Sequence, residues 1–232
     1  MKNKFRLIRI KKFFKKRIIS ISVLAGLAIL MVNICFLSIL YGAISTMINI
    51  SGEGRVVSES SLTLSLSDYS KIKITPTGYS LSGGSEISYT GPYIITGSRT
   101  SDTPLFIFND ASSGGYNGAV FNIKLVDATI TGKTWCTAIF IQGDCSSVVN
   151  IETEGTCQSI GYNHAGIVCQ SSNTVLNLNV LSGSLRLASA YSGMTSLAVR
   201  GFKSFNFNGK AMTLNSNDEY IAATFNADGT IN

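Results

Sequence analysis

Phe121-Asn122-Ile123, Val149-Asn150-Ile151, Leu176-Asn177-Leu178 and Phe205-Asn206-Phe207 are four copies of one tripeptide, an asparagine between two apolar residues. Their asparagines stand 28, 27 and 29 residues apart. A fixed period of this length marks a structural unit that recurs along the chain. Two further columns share it. Ile139 with Ile141, Ile167 with Cys169 and Leu197 with Val199 form alternating pairs upstream of the asparagines. Downstream, Leu185 with Leu187 matches Met212 with Leu214, and Cys157 with Ile160 is a poorer match. Each repeat therefore holds three short strands of period two, separated by Gly, Ser and Asn turns, and helical spacing is absent beyond residue 52. The pattern predicts an all-β fold, a triangular parallel β-helix with coils of about 28 residues, in which rungs about 4.8 Å apart turn distant residues into vertical neighbours. A β-sandwich would also account for the strands, but it gives no reason for three columns to share one period.

Residues 76–118 follow the rhythm less regularly. Pro76–Gly84 and Gly91–Gly97 suggest opening coils with tight turns, Pro104-Leu105-Phe106-Ile107-Phe108 a further strand, and Ser112–Gly118 an inserted loop. Residues 45–75 are a Ser-rich spacer leading into a first strand at Leu62, Leu64 and Leu66. At the other end Thr230-Ile231-Asn232 carries no polar capping element. Open solenoid edges invite pairing, so a short tail, further chain or self-association is expected to cover this one.

The 232-residue chain has a net charge of +6, yet nine Lys and Arg and no acid fall within residues 2–17. The remainder holds ten basic and thirteen acidic side chains, a net −3, which excludes a basic nucleic-acid-binding domain. From Ile18 to Gly52 there is no charge at all, and Ile18–Ile44 is nearly all apolar. As a helix, about 27 residues rise roughly 40 Å, more than a bilayer core of ~30 Å requires. The basic tail orients such a segment with the N-terminus in the cytoplasm and the body outside. A signal anchor that stays in the membrane is one reading. A cleaved signal peptide, with Ala43-Ile44-Ser45 at the cleavage point, is another, although peptidase substrates have apolar cores of about 7–15 residues. The expected organisation is a basic cytoplasmic tail at 1–17, one N-terminal transmembrane helix at 18–44, the spacer and first strand at 45–75, and an extracellular β-helix at 76–232.

Fifteen residues before three of the asparagines stand Trp135, Tyr162 and Tyr191, and Tyr220 continues the series at steps of 27, 29 and 29. In the coil geometry these four rings form a ladder on one corner. Ring stacking that stabilises the turn explains such a column at about 0.5–1.5 kcal/mol per pair. A platform for the flat apolar faces of sugars, with hydroxyls held by neighbouring Asn, Gln and Ser, explains it equally. For Asn122, Asn150, Asn177 and Asn206 the commoner explanation is structural, a ladder of side-chain amides bonded to one another.

Catalytic signatures are sparse. The single histidine, His164, sits in the turn Tyr162-Asn163-His164-Ala165-Gly166, where a solvated side chain is the ordinary outcome. No nucleophile elbow, His-x-x-x-His or phosphate loop occurs. Glu152 and Glu154 alternate along one strand and are weak candidates for a hard cation such as calcium, or simply solvated carboxylates. Glu152 with Asp144 or Asp127 offers the raw material for a glycosidase pair, without a marking pattern. Arg200 and Lys203 are candidate basic groups of a lyase. Of five cysteines, Cys35 lies in the apolar segment. Cys136, Cys145, Cys157 and Cys169 permit two disulfides in an oxidising location, while the core column of Cys169 suits a reduced thiol acting as a small apolar residue.

Gly91–Gly97, Pro104–Phe108, Phe121–Gly132 and Ala138–Ile141 together resemble the opening coils of bacterial cell-surface carbohydrate-binding proteins with a right-handed parallel β-helix, relatives of polysaccharide lyases. The likeness covers roughly residues 76–209 and rests on strand-and-turn rhythm. It implies non-catalytic binding of a polysaccharide or surface glycan outside the cell, or adhesion, often with calcium; the dense acidic turns of calcium ligands are missing here.

Overall fold

The computed structural model describes residues 61–190 and 196–232, all within one compact unit, Val56–Asn232. The chain winds into a parallel β-solenoid of about five turns with almost no helix. Strands β1 (Leu62–Ser65) and β2 (Ile72–Ile74) open the first turn, so the solenoid begins within the stretch read as spacer and first strand. The chain then leaves the coil as a hairpin, β3 (Gly78–Leu81) and β4 (Ile87–Ser88), before β5 (Tyr93–Ser101) and β6 (Leu105–Phe108) form the second turn. After a 3₁₀ turn at Ala111–Ser113 come β7 (Ala119–Gly132) and β8 (Ile139–Gln142). The fourth turn is β9 (Ser147–Glu154), β10 (Thr156–Gly161) and β11 (Ile167–Cys169). The fifth is β12 (Val175–Val180), β13 (Ser184–Ser189) and β14 (Leu197–Arg200), followed by β15 (Ser204–Phe207).

Each turn presents three faces. The first stacks β1, β5, β7, β9, β12 and β15; the second stacks the later halves of β5 and β7 with β10 and β13; the third stacks β2, β6, β8, β11 and β14. The corner between the first two faces holds a left-handed residue in the second to fifth turns, Gly97, Asp127, Gly155 and Gly183 at φ of 77, 46, 75 and 70°. Because β5 and β7 bend through that corner without a break, both faces belong to one ten-stranded sheet, and the third face is a separate eight-stranded one.

Period two decides what lies inside. Leu64, Ile95, Leu125, Thr153 and Val180 stack in one buried column of the first face, and Ile72, Leu105, Ile139, Ile167 and Val199 in one of the third. Isoleucine and valine suit these positions because a β-branched side chain packs on its equivalents above and below. The spacing-based pairing of Cys169 with Val199 is corrected here: Val199 stands over Ile167, and Gly201 backs onto the Cys169 carbonyl. Twelve positions separate Leu187 from Val199 where eight separate the equivalent Ser159 and Ile167, so the fifth turn has a longer corner. A shorter loop before Asn206 hides this excess in the asparagine spacing. Cys157 pairs inward with Ser159, beneath Leu185 and Leu187, while Ile160 points outward. All four body cysteines are free thiols, with Cys145, Cys157 and Cys169 buried.

Strands that run against the coil cover the third face at the start of the solenoid and all three faces at its end. Pro76–Gly84, read from sequence as opening coil, instead carries β3, which lies antiparallel to β2, and β4 follows antiparallel to β3. Behind them Tyr79, Tyr89 and Tyr93 meet edge to face at 5.1–6.3 Å. At the other end Asn208 and Gly209, at φ of 45 and 75°, form a two-residue hairpin loop after β15. The chain then reverses through β16 (Lys210–Met212), β17 (Glu219–Ile221) and β18 (Ala223–Asn226), laid antiparallel on β15, β14 and β13 respectively. Met212 therefore faces Phe205 rather than continuing the column of Leu185, whose actual partner is Phe225. Phe225 plugs the last turn, its ring centroid 5.8 Å from Phe205 and 5.0 Å from Phe207. Of the covers expected for this edge, the short tail is the one present: residues 210–232 of the chain lie over it. Among the described residues no helix is long and apolar enough to cross a membrane; residues 18–44 and Tyr191 lie outside the described residues.

Candidate functional site

The corner joining the second and third faces carries the exposed aromatics. In the third turn it runs Lys133-Thr134-Trp135-Cys136-Thr137-Ala138, and Thr134 and Trp135 both adopt left-handed backbone, φ 43 and 65°. Trp135 is 71% exposed. The buried Thr137 holds the corner to the next turn by donating its hydroxyl to the Ala165 carbonyl at 2.7 Å. The Tyr162 N–H donates to the Cys136 carbonyl at 2.8 Å, which seats the next corner directly on this one. Tyr162 is 40% exposed, and with Lys133, Thr134, Trp135 and Asn163 it borders a recess of about 400 Å³.

Trp135 also bounds a larger groove of about 530 Å³ on the outer face of the third sheet, lined by Phe106, Phe140, His164, Gln170 and Arg200 among others. Register explains the lining: Phe106, Phe140, Val168 and Arg200 are successive outward residues of β6, β8, β11 and β14, and Lys73 of β2 precedes them in the same column, outside the lining. The rings of Phe106 and Phe140 meet at 6.1 Å and 60°. Lys71 Nζ lies 4.7 Å above the Phe106 ring and Lys73 Nζ 3.8 Å above that of Phe108. At the far end Arg200 Nε pairs with Glu219 Oε1 at 3.4 Å. Beside Trp135, the Cys136 thiol donates to the Asp102 carbonyl at 2.9 Å, and burial, then the Asp102 charge, push its pKa up. That thiol is protonated at neutral pH, so it is a poor nucleophile and a poor metal ligand.

Trp135 and Tyr162 therefore stand together, one turn apart. Tyr220 does not join them. Because β17 runs backward, Tyr220 faces Val199, half-buried, with its ring 5.6 Å from Phe205 and 6.1 Å from Phe225. The four asparagines form a continuous hydrogen-bonded ladder on the outer face of the first sheet: Asn150 Nδ2 donates to Asn122 Oδ1, Asn177 to Asn150 and Asn206 to Asn177, each at 2.8 Å. Asn150 and Asn177 each spend a donor and an acceptor on their neighbours, Asn122 an acceptor and Asn206 a donor, so this column is committed to holding the turns together.

The residues proposed for calcium do not fit it. Glu154 is ion-paired with Lys124 at 2.6 Å, Glu152 is 4% exposed, and among the described residues no three His, Cys, Asp or Glu side chains gather as a metal site. Calcium takes six to eight oxygens. Asp127 accepts from the Thr156 N–H at 3.0 Å and Asp144 from the Ala111 N–H at 2.9 Å, each tying one turn to another. Asp102 is the one carboxylate lining the groove among the described residues, and Lys203 stands outside the lining.

Sequence reasoning missed Lys71, Lys73, Phe106, Phe140 and Gln170. A signal was present. Leu105-Phe106-Ile107-Phe108 and Ile139-Phe140-Ile141 place aromatics at the positions that period two sends outward. Comparison with protein families, with curated proteins and with solved structures returned no match for this chain.

Proposed function

We propose that the chain is a membrane-anchored surface protein whose extracellular domain, a right-handed β-helix, binds carbohydrate without turning it over and serves adhesion or glycan capture. The tail at 2–17 and the apolar run at 18–44 support the anchoring and the outward orientation. One observation carries the binding reading: Trp135 is held out into solvent on a left-handed backbone, beside Tyr162 and at the mouth of an apolar-floored groove with polar rims. A bulky residue at positive φ is a strained choice, and packing gives no reason for it. A sugar face laid on the indole removes about 100 Å² of apolar surface from water, about 2.5 kcal/mol. The ring is also the only tryptophan in the chain, so its emission reports directly on the site.

Pull-down of the full chain in detergent micelles against a panel of insoluble polysaccharides tests the reading. Binding that shifts tryptophan emission to the blue supports it. A Trp135→Ala, Tyr162→Ala double variant that keeps full binding removes it. The two competing readings find less support. For assembly through stacked solenoid ends, β14 and β15 are already covered by the chain's own β17 and β16, and for a lyase, Lys203 stands outside the groove that Arg200 lines.

A further inference from the structure

Cations bracket the groove along the outward column of the third face, Arg200 within its lining and Lys71 and Lys73 just beyond it. Residues 18–232 sum to −3, yet a cation stands at each end of the apolar strip formed by Phe106, Phe140 and Val168. Lys71 and Lys73 stand over the aromatic rings at one end and Arg200 at the other. Four strand steps of about 4.8 Å separate Lys73 from Arg200, about 19 Å along the solenoid axis. Glu219 engages only Nε of Arg200, and among the described residues the two terminal nitrogens have no partner. Those nitrogens are the planar fork that recognises carboxylate or sulfate. The ammonium groups of Lys71 and Lys73, parked on ring faces, are partly stripped of water before any ligand arrives. Two carboxylates oppose these cations among the described residues, Asp102 in the lining and Glu219 beside Arg200.

We propose that the groove takes a linear glycan lengthwise, across the strands, and that this glycan is anionic, with carboxylate or sulfate groups meeting Arg200 at one end and Lys71 and Lys73 at the other. The inference rests on the carbohydrate-binding reading and adds the ligand's charge and direction. Strand register sets the length: the strip is continuous because Phe106, Phe140, Val168 and Arg200 are in register with Lys73, and a ligand shorter than about 19 Å cannot engage both ends.

The test uses the full chain in detergent micelles and two polymer series, each with one backbone: hydroxyethyl cellulose, carboxymethyl cellulose and cellulose sulfate; dextran, carboxymethyl dextran and dextran sulfate. Trp135 emission is the readout, because the nine cations of residues 2–17 would attract any polyanion and make bound fraction ambiguous. In at least one series the carboxylated or sulfated form should bind about tenfold more tightly than the neutral one, about 1.4 kcal/mol, and the two forms separate carboxylate from sulfate. Lys71→Met with Lys73→Met, and separately Arg200→Met, should each erase that advantage, and Arg200→Lys should restore part of it. The lysine pair is on the surface and keeps its aliphatic stems, so it remains informative if loss of Arg200 disturbs Glu219. Neutral polymers that shift emission as well as charged ones overturn the anionic inference and leave the carbohydrate reading standing. An advantage for the charged polymers that survives all the substitutions also overturns it. If no polymer of either series moves the emission, both readings fall.

Discussion

Replacing Trp135 by glycine and by alanine separates a ring that serves the fold from one that serves a ligand. Both substitutions delete the indole, so every contact of the ring cancels between them and the backbone alone decides their difference. At an ordinary φ, glycine is the less stable of the two by about 0.5–1 kcal/mol, because it has more freedom to lose on folding. At φ 65° alanine bears the left-handed penalty of about 1–2 kcal/mol that glycine escapes. The order therefore inverts, and Trp135→Gly should be more stable than Trp135→Ala by about 0.5–1 kcal/mol. Urea unfolding of the full chain in micelles, followed by far-ultraviolet circular dichroism, measures this. With a slope of about 2 kcal/mol/M the glycine midpoint should lie about 0.25–0.5 M higher, with both slopes equal. Alanine matching or exceeding glycine would refute the claim that the corner is strained. Glycan pull-down should fail for both variants, since the ring is gone in each.

Two further expectations rest on single side chains. Thr153 points into the core column between Leu125 and Val180, and among the described residues its buried hydroxyl has no hydrogen-bond partner. Thr153→Val should therefore raise unfolding stability by about 1–2 kcal/mol, and a variant no more stable than the parent would show that the hydroxyl is satisfied. Gly155 has φ 75°, and a Cβ there would run into the Asp127 carboxylate that accepts from the Thr156 N–H. Gly155→Ala should cost about 3 kcal/mol but only about 1–2 kcal/mol in an Asp127→Gly background, and equal costs in the two backgrounds would deny the clash.

The interior of the solenoid was legible because its signal repeats. Apolar-Asn-apolar recurs from the third turn onward, and the stacking of Asn122, Asn150, Asn177 and Asn206 follows once strands are parallel and in register. Two kinds of feature escaped. The ends do not repeat, and at both ends the chain abandons the parallel direction. The Asn208-Gly209 pair is a strong local hairpin signal, but it was overlooked because Met212 and Tyr220 happened to continue the 27–29-residue spacing. Spacing fixes position along the chain; it carries no information on direction, and a strand laid backward over the last turn moves Tyr220 from a corner to a core-facing position. Likewise Asp127, Gly155 and Gly183 follow one another at steps of 28, yet an aspartate among glycines conceals the left-handed column until φ is known.

The candidate site was half legible for a related reason. Trp135 and Tyr162 appear in the sequence as a periodic corner, because a corner is set by position within the turn. The floor of the groove has no period of its own: its outward column changes from lysine to phenylalanine to valine to arginine across five strands. Core columns stay mostly apolar, with Thr153 an exception, since every turn faces the same interior. Outward columns are free to change chemistry at each turn, and a ligand lying across the strands meets those changes in sequence. In a solenoid the repeat therefore reveals the scaffold, and specificity lies in the departures from it. Lys73, Phe106, Phe140 and Arg200 become one surface only when register aligns residues that are 33, 34 and 60 positions apart.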